Sequence, residues 1–156
     1  MVELVIFIGL QASGKSTFFR QHFAATHELV SKDRMRNNKN PARRQVQLIE
    51  AALQAGRSVV VDNTNSALED RSALIELGNT YAAQIMGYYF QSNVSDCLER
   101  NRQRTGKDRV PDVAIYATAK KLVRPTYAEG YKQLFYVRMA GNSEFQVRPW
   151  MFVRET

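Results

Sequence analysis

Leu4-Val5-Ile6-Phe7-Ile8-Gly9-Leu10-Gln11-Ala12-Ser13-Gly14-Lys15-Ser16-Thr17 is the stretch that decides the fold. Its apolar first part reads as a parallel strand covered on both faces. It leads without interruption into a G-x-x-x-x-G-K-[ST] pattern at the point where a helix begins. Gly9 and Gly14 let the backbone bend so that successive N–H groups point inward, and the helix opening near Lys15 adds the positive end of its dipole. Such a loop suits an anionic triphosphate. Gly9, Gln11, Ala12, Ser13, Gly14 and Thr17 form the cradle, Lys15 spans the β and γ phosphates, and the Ser16 hydroxyl ligates the accompanying Mg²⁺. ATP and Mg²⁺ are therefore the expected cofactors. The bland alternative is a chance glycine-rich turn that opens a helix, but strand, loop and amphipathic helix stand in the right order for the functional reading.

The 156 residues suit one domain, 1–156, with a real hydrophobic core. With 22 Lys plus Arg against 15 Asp plus Glu the net charge is +7, which favours acidic partners without choosing between nucleotides, nucleic acid and anionic membrane. The single cysteine, Cys97, excludes an internal disulfide and a cysteine-rich zinc site, so no disulfide partner is expected, and Cys97 reads as structural. His22 and His27 lack metal-ligand spacing and read as structural or surface residues. There is no apolar stretch long enough for a membrane span, and the first apolar run has no basic flank. A soluble, cytoplasmic (or nuclear) protein with no membrane partner is expected.

Outward from the loop the chain alternates. Ser16 to His27 reads as a helix with Phe19 and Phe23 on one side, and His27 to Ser31 as a second short strand. Asn40-Pro41 supplies a cap and first-turn proline to a helix whose Ala42, Val46, Ile49 and Leu53 share a face, ended by Gly56. Ser58 to Val61 is a buried-type strand ending in Asp62-Asn63-Thr64-Asn65. Ser66-Ala67-Leu68-Glu69 then reads as a capping box for a helix to about Tyr81. A strand at Gln84 to Phe90, helices from Val94 and Pro111 with a basic loop between them, and a late strand near Leu134 to Arg138 complete an α/β pattern. In the tail, Phe145, Val147, Trp150 and Phe152 suggest one more extended segment packed on the body.

In an open parallel sheet the ligand lies beyond the carboxyl ends of the strands, and here those positions carry chemistry. After strand two comes Ser31-Lys32-Asp33-Arg34-Met35-Arg36, where the flanking cations keep Asp33 ionised and able to take a proton from an attacking hydroxyl. Read alone, Asp33 is more readily a cap or a surface ion pair; its position after the strand reverses that in favour of the base. Asp62 follows three valines, where a carboxylate orders Mg²⁺ and its waters, or simply starts an Asx turn. Glu99 to Arg124 holds eight basic residues, and as a lid over residues 99–112 it would bring Arg104, and less firmly Arg100, to the transferring phosphoryl group. Lys32 to Arg44 carries six cations against Asp33 alone, a surface suited to a phosphorylated acceptor.

With these residues in view, the chain resembles the kinase domain of 5′-hydroxyl polynucleotide kinases within the wider P-loop kinase superfamily. The resemblance covers most of the chain. It runs through Gly9 to Thr17, through Asp33 with Arg36 three residues later, through Val59-Val60-Val61-Asp62-Asn63-Thr64-Asn65, and through Arg100-Asn101-Arg102-Gln103-Arg104. It continues through Val110-Pro111-Asp112-Val113 and Arg124-Pro125-Thr126-Tyr127-Ala128-Glu129-Gly130-Tyr131. The first block is common to P-loop proteins; the D-N-T-N and P-T-x-x-E-G blocks are much narrower.

The resemblance implies a P-loop NTPase fold, an adenylate-kinase-like parallel sheet flanked by helices with an Arg-bearing lid. It also implies transfer of the ATP γ-phosphate to the 5′-OH of single-stranded or end-exposed DNA or RNA. In that reading Asp33 is the base, Arg36 grips an acceptor phosphate, Lys15 and Arg104 stabilise the transition state, Arg100 and Arg104 contact the nucleotide, and Ser16 with Asp62 serves Mg²⁺. No D-x-D-G-[ST] run for a 3′-phosphatase occurs, so other end-repair steps are expected from another polypeptide. Two alternatives stand beside it: a small-molecule or toxin-type P-loop kinase, which would not need the basic surface at Lys32 to Arg44, and a nucleotide-dependent switch that transfers nothing.

Overall fold

The β1 strand, Glu3–Ile8, is apolar at every position after its first, because both faces of the sheet are covered. Leu4, Ile6 and Ile8 point into one core layer with Ile49, Leu53, Leu74 and Ile75, whereas Val5 and Phe7 point into the other with Phe18, Phe19 and Phe23. The period of two thus explains a continuous hydrophobic run: each layer takes alternate residues of one strand. The computed structural model describes residues 1–35 and 37–151.

Five further strands join β1: β2 Glu28–Val30, β3 Val59–Asp62, β4 Gln84–Phe90, β5 Gln133–Gly141 and β6 Glu144–Pro149. The order is β2-β3-β1-β4-β5-β6, with β2 to β5 parallel to β1 and β6 antiparallel to β5. The chain leaves β1 toward β2 on one side and crosses after β3 to β4 on the other. This reversal of direction opens a crevice beyond the carboxyl ends of β1, β3 and β4. The extended tail anticipated from the sequence is the antiparallel edge strand β6, with Phe145 half-buried and Val147 exposed; Phe152 lies outside the described residues.

The helices are α1 Lys15–His22, α2 Pro41–Gln54, α3 Leu68–Thr80, α4 Val94–Arg102 and α5 Asp112–Lys121. In α2 the Asn40 side chain accepts the Arg43 amide, 3.1 Å, as its cap. Ile49 and Leu53 are buried as expected, but Gln45 and Ala52 complete the inner face in place of Ala42 and Val46, which are exposed. The cause is Gln45, which is drawn inward because its carbonyl oxygen accepts the Asn63 side-chain amide at 2.6 Å. In α3 the cap is one residue later than the sequence suggests: the Ala67 amide donates to Asp70, 3.3 Å. Ser66 is buried instead, its carbonyl accepting from Val123 N at 2.9 Å and Arg71 Nη1 at 3.1 Å. Leu10, Cys97, Leu98 and Ile115 form a separate small core between α4, α5 and the β1–α1 loop, which accounts for the buried thiol. No helix among the described residues is long and apolar enough to cross a membrane.

One ion pair joins the two narrowest sequence blocks. Arg71 of α3 is fully buried and donates to both oxygens of Glu129, 2.8 and 3.2 Å, and to the carbonyls of Asn65, Ser66 and Val123 at 3.1, 3.1 and 2.8 Å. Glu129 also accepts the Thr126 amide, 2.9 Å, closing the short turn that follows Pro125. A guanidinium this deep is tolerable only with its charge matched and its donors occupied. Glu129→Gln should therefore lower unfolding free energy in urea by about 3–5 kcal/mol, since it strands a buried charge. Glu99→Gln, which breaks the exposed Arg102–Glu99 pair, should change it by less than about 1 kcal/mol.

Candidate active site

The loop between β1 and α1 folds back on itself with glycines at the two positions where a side chain would be crowded or strained. A Cβ on Gly9 would lie 3.0 Å from both Phe90 Cβ and Ser13 Oγ. Gly14, at φ +100°, would drive a Cβ to 2.8 Å from Met139 Cε and 2.9 Å from Phe145 Cε1. The β5–β6 hairpin is thus pressed against the loop, with Phe145 edge-on to Phe18 of α1 at 5.1 Å and the Gln21 side chain donating to Ser143 O at 2.8 Å. Ala12 takes φ +63°, an αL conformation that is costly for a residue with a Cβ. Arg100 Nε donates to the Ala12 carbonyl, 2.7 Å, and holds it there. Arg100, expected at the nucleotide, is thereby committed to the loop backbone, with its other nitrogens near Met139 Sδ and Cys97 Sγ at 3.6 and 3.8 Å.

Lys15 is buried inside the loop it follows. Its amine donates to Gly9 O at 3.0 Å, Leu10 O at 2.7 Å and Ser13 Oγ at 3.5 Å. Burial lowers its pKa, an effect that the Asp62 carboxylate partly opposes. Asp62, at the end of β3, accepts the Ser16 hydroxyl through Oδ2 at 2.9 Å. Its own pKa is raised, first by burial, against the lowering influence of Lys15 and of the Ser16 hydrogen bond. Both charges are held away from water, and each is only partly compensated. A polyanion at Lys15 and a hard cation at Asp62 and Ser16 would complete them. Among the described residues no cluster of His, Cys, Asp or Glu forms another metal centre.

Asp33 sits exposed on the 3₁₀ turn Lys32–Met35 after β2, and its amide donates to Ser31 Oγ at 3.3 Å. It acts electrostatically on both Lys15 and Asp62, as does half-buried Arg104, whose Nη1 donates to Asp108 O at 3.2 Å. The structure thus brings Lys15, Ser16, Asp62, Asp33 and Arg104 into one electrostatic neighbourhood. Arg36 lies outside the described residues. Gln11 reaches away from the loop to α5, its Nε2 donating to Thr118 Oγ1 at 3.0 Å, while its buried Oε1 has no partner among the described residues. Thr17 accepts from Arg20 at 3.1 Å.

What the sequence reading missed is the work of the residues after Asp62. Asn63 Oδ1 accepts the Lys32 amide at 2.9 Å and Thr64 O accepts the Gly9 amide at 3.0 Å. Asn65, at φ +45°, donates through Nδ2 to Phe7 O at 2.7 Å. Together with Asp62 on Ser16, each residue of the turn holds a different element. The only signal in the sequence was the density of short amides there, side chains that favour hydrogen bonding to nearby backbone.

Residues 4–125 match the AAA domain family AAA_33. The chain belongs to that family. It is 27% identical over 135 residues to the bifunctional polynucleotide phosphatase/kinase of Schizosaccharomyces pombe, a match covering 83% of this chain and 32% of that protein. The chain therefore spans about a third of that relative's length. A gluconokinase from Sinorhizobium meliloti has the same fold, with a TM-score of 0.65 at 18% identity, covering 90% of this chain and 85% of the other. So does the Mycobacterium tuberculosis APS kinase solved with AMPPNP and APS, with a TM-score of 0.63 at 17% identity and coverage of 91% of each chain. The architecture is the P-loop NTPase fold expected from the opening strand and loop.

The raised pKa of Asp62 carries a sign that can be measured. A carboxyl whose folded pKa lies above its unfolded value adds stability only at acid pH, and that contribution is lost as pH rises through the folded pKa. Cation-dependent nucleotide binding should run the opposite way, weakening as pH falls and already weakening above the ordinary carboxylate range. Calorimetric titration of Mg²⁺-ATP from neutral to mildly acid pH should show this step, and Asp62→Asn should remove it along with most of the Mg²⁺ dependence.

Proposed function

We propose that this protein transfers the γ-phosphoryl group of ATP to the 5′-hydroxyl of a polynucleotide. The observation that carries the reading is the placement of Asp33. It is an exposed carboxylate on a turn anchored through Lys32 N to Asn63, within electrostatic reach of the buried Lys15 and Asp62. In this account Asp33 takes the proton of the 5′-OH as that oxygen attacks the γ-phosphorus, and the bond to the β-phosphate oxygen breaks to leave ADP. The Lys15 amine exchanges loop carbonyls for phosphate oxygens, and Arg104, carried on the lid over residues 99–112, stabilises charge on the transferring group. Ser16 and Asp62 would hold Mg²⁺, which neutralises phosphate charge when bound. Closure of the lid excludes water, so that the hydroxyl and not solvent is the acceptor.

The polynucleotide acceptor is supported by the basic surface beside Asp33: Lys32, Arg34, Lys39, Arg43 and Arg44 are all exposed, and none forms a salt bridge among the described residues. Arg36 belongs to the same proposal as the group that grips an acceptor phosphate. The similarity to a polynucleotide phosphatase/kinase points the same way.

With γ-labelled ATP, Mg²⁺ and 5′-OH oligonucleotides in DNA and RNA forms, label should appear on the 5′ end. Asp33→Ala should reduce turnover by about 10²–10⁴-fold while leaving ATP affinity unchanged. Bound ATP with no label on either strand would overturn the polynucleotide acceptor and assign the same Lys15, Asp33 and Arg104 to a small-molecule hydroxyl.

A further inference from the structure

The tail contains a surface for which phosphoryl transfer at the loop has no use. On one face of the β5–β6 hairpin, Gln91, Tyr136, Arg138, Gln146 and Arg148 line an open depression. Tyr136 stands opposite Arg148 across the strand pair and Arg138 opposite Gln146, with Arg138 Nη2 donating to Gln146 Oε1 at 3.0 Å. Next to them Tyr89, Tyr136 and Trp150 form a ring cluster with centroids 5.5–6.1 Å apart. The Arg124 guanidinium lies 5.2 Å from the Trp150 ring centroid and 5.6 Å from that of Tyr89.

Packing alone does not account for this composition. Tyr136 and Trp150 are only half-buried, Arg124, Arg138 and Arg148 are exposed, and the Arg148 side chain forms no salt bridge among the described residues. Among the described residues no carboxylate lines the depression. Exposed guanidinium groups interleaved with ring faces are the chemistry that holds a single-stranded polynucleotide without reading its sequence: cations track the phosphates and rings stack on bases.

A chain of contacts also ties this face to the candidate active site. Asn63 holds the turn bearing Asp33, Ser66 O accepts Val123 N, and Arg124 follows at once and reaches Trp150. From β2 to β6 the path crosses five strand intervals, about 24 Å at the usual interstrand spacing, the span of about seven stacked nucleotides.

We propose that the Arg124–Tyr136–Arg138–Arg148–Trp150 face is a second contact for the acceptor strand, engaging phosphates and bases several nucleotides downstream of the reacting 5′ end. The inference rests on the polynucleotide acceptor proposed above. It makes affinity depend on acceptor length beyond what the basic surface beside Asp33 supplies.

The test compares a 5′-OH trinucleotide with a 5′-OH 20-mer on the wild type, on Arg138→Glu/Arg148→Glu and on the milder Arg138→Gln/Arg148→Gln. The charge-reversed variant should raise KM for the 20-mer by about tenfold and flatten its log–log salt dependence by about 1.4, two phosphate contacts' worth on a single strand. Its KM for the trinucleotide, and kcat for both, should stay as in the wild type, and the neutral variant should show a smaller shift in the same direction. Trp150, the chain's single tryptophan, should lose fluorescence when the 20-mer binds the wild type but not when it binds the charge-reversed variant. Wild-type KM and salt slope for the 20-mer in both variants would overturn the second contact while leaving the polynucleotide kinase reading intact. A wild type that neither binds nor phosphorylates either oligonucleotide, yet phosphorylates a small hydroxyl acceptor, would overturn both.

Discussion

The site depends on one four-residue turn. Asp62, Asn63, Thr64 and Asn65 leave the end of β3, and each fixes something different: Asp62 the Ser16 hydroxyl at the start of α1, Asn63 the Lys32 amide and Gln45 of α2, Thr64 the Gly9 amide, and Asn65 the last part of β1 through Phe7 O. Beneath it Arg71 grips the carbonyls of Asn65 and Ser66 and locks the turn to Val123 and Glu129. A loop at the mouth of an open sheet must satisfy its own backbone groups or expose them to water. This one does so by using them as joints between the phosphate loop, the Lys32–Met35 turn and the segment at Val123. In the proposed function, these joints would supply the precision that phosphoryl transfer demands, positioning more than covalent chemistry.

The same economy shapes the electrostatics. Lys15 and Asp62 are both pushed by burial toward their neutral forms, yet each is partly sustained by the other. Such a pair adds little to folding. In the proposed function, an incoming phosphate and a hard cation would find partners already desolvated and oriented, so that little reorganisation would remain when they arrive. The C-terminal hairpin contributes by pressure: Met139 and Phe145 stand against Gly14, while Arg100, itself beside Met139, pins the strained Ala12.

The parts legible in sequence were those set by local rules. The apolar run of β1, the glycine spacing of the loop and the Asn40-Pro41 start of α2 each follow from short-range sterics and hydrogen bonding, and each stands where expected. What escaped the sequence was set by distant partners. Gln45 is buried because Asn63 reaches it, which rotates the inner face of α2 away from Ala42 and Val46. Ser66 gives up the cap of α3 because Arg71 and Val123 claim its carbonyl. Nothing local distinguishes Arg71 from an ordinary helical surface residue; only Glu129, 58 positions away, makes it a core residue. In the same way, the placement of Asp33, Lys15 and Asp62 after successive strands could be read from topology, but Arg100's hold on Ala12 could not.

The central claim is that the turn after β3 positions the phosphate loop and the Lys32–Met35 turn, on which the proposed base Asp33 sits, through separate residues. Asn63→Ala cuts only the ties to Lys32 and Gln45, so the most direct measurement is its ATP dissociation constant beside its turnover on the acceptor. The account predicts wild-type ATP affinity with turnover reduced by about 10²-fold, the scale of a misplaced base. Equal loss of ATP binding and turnover, or no loss of either, would contradict it.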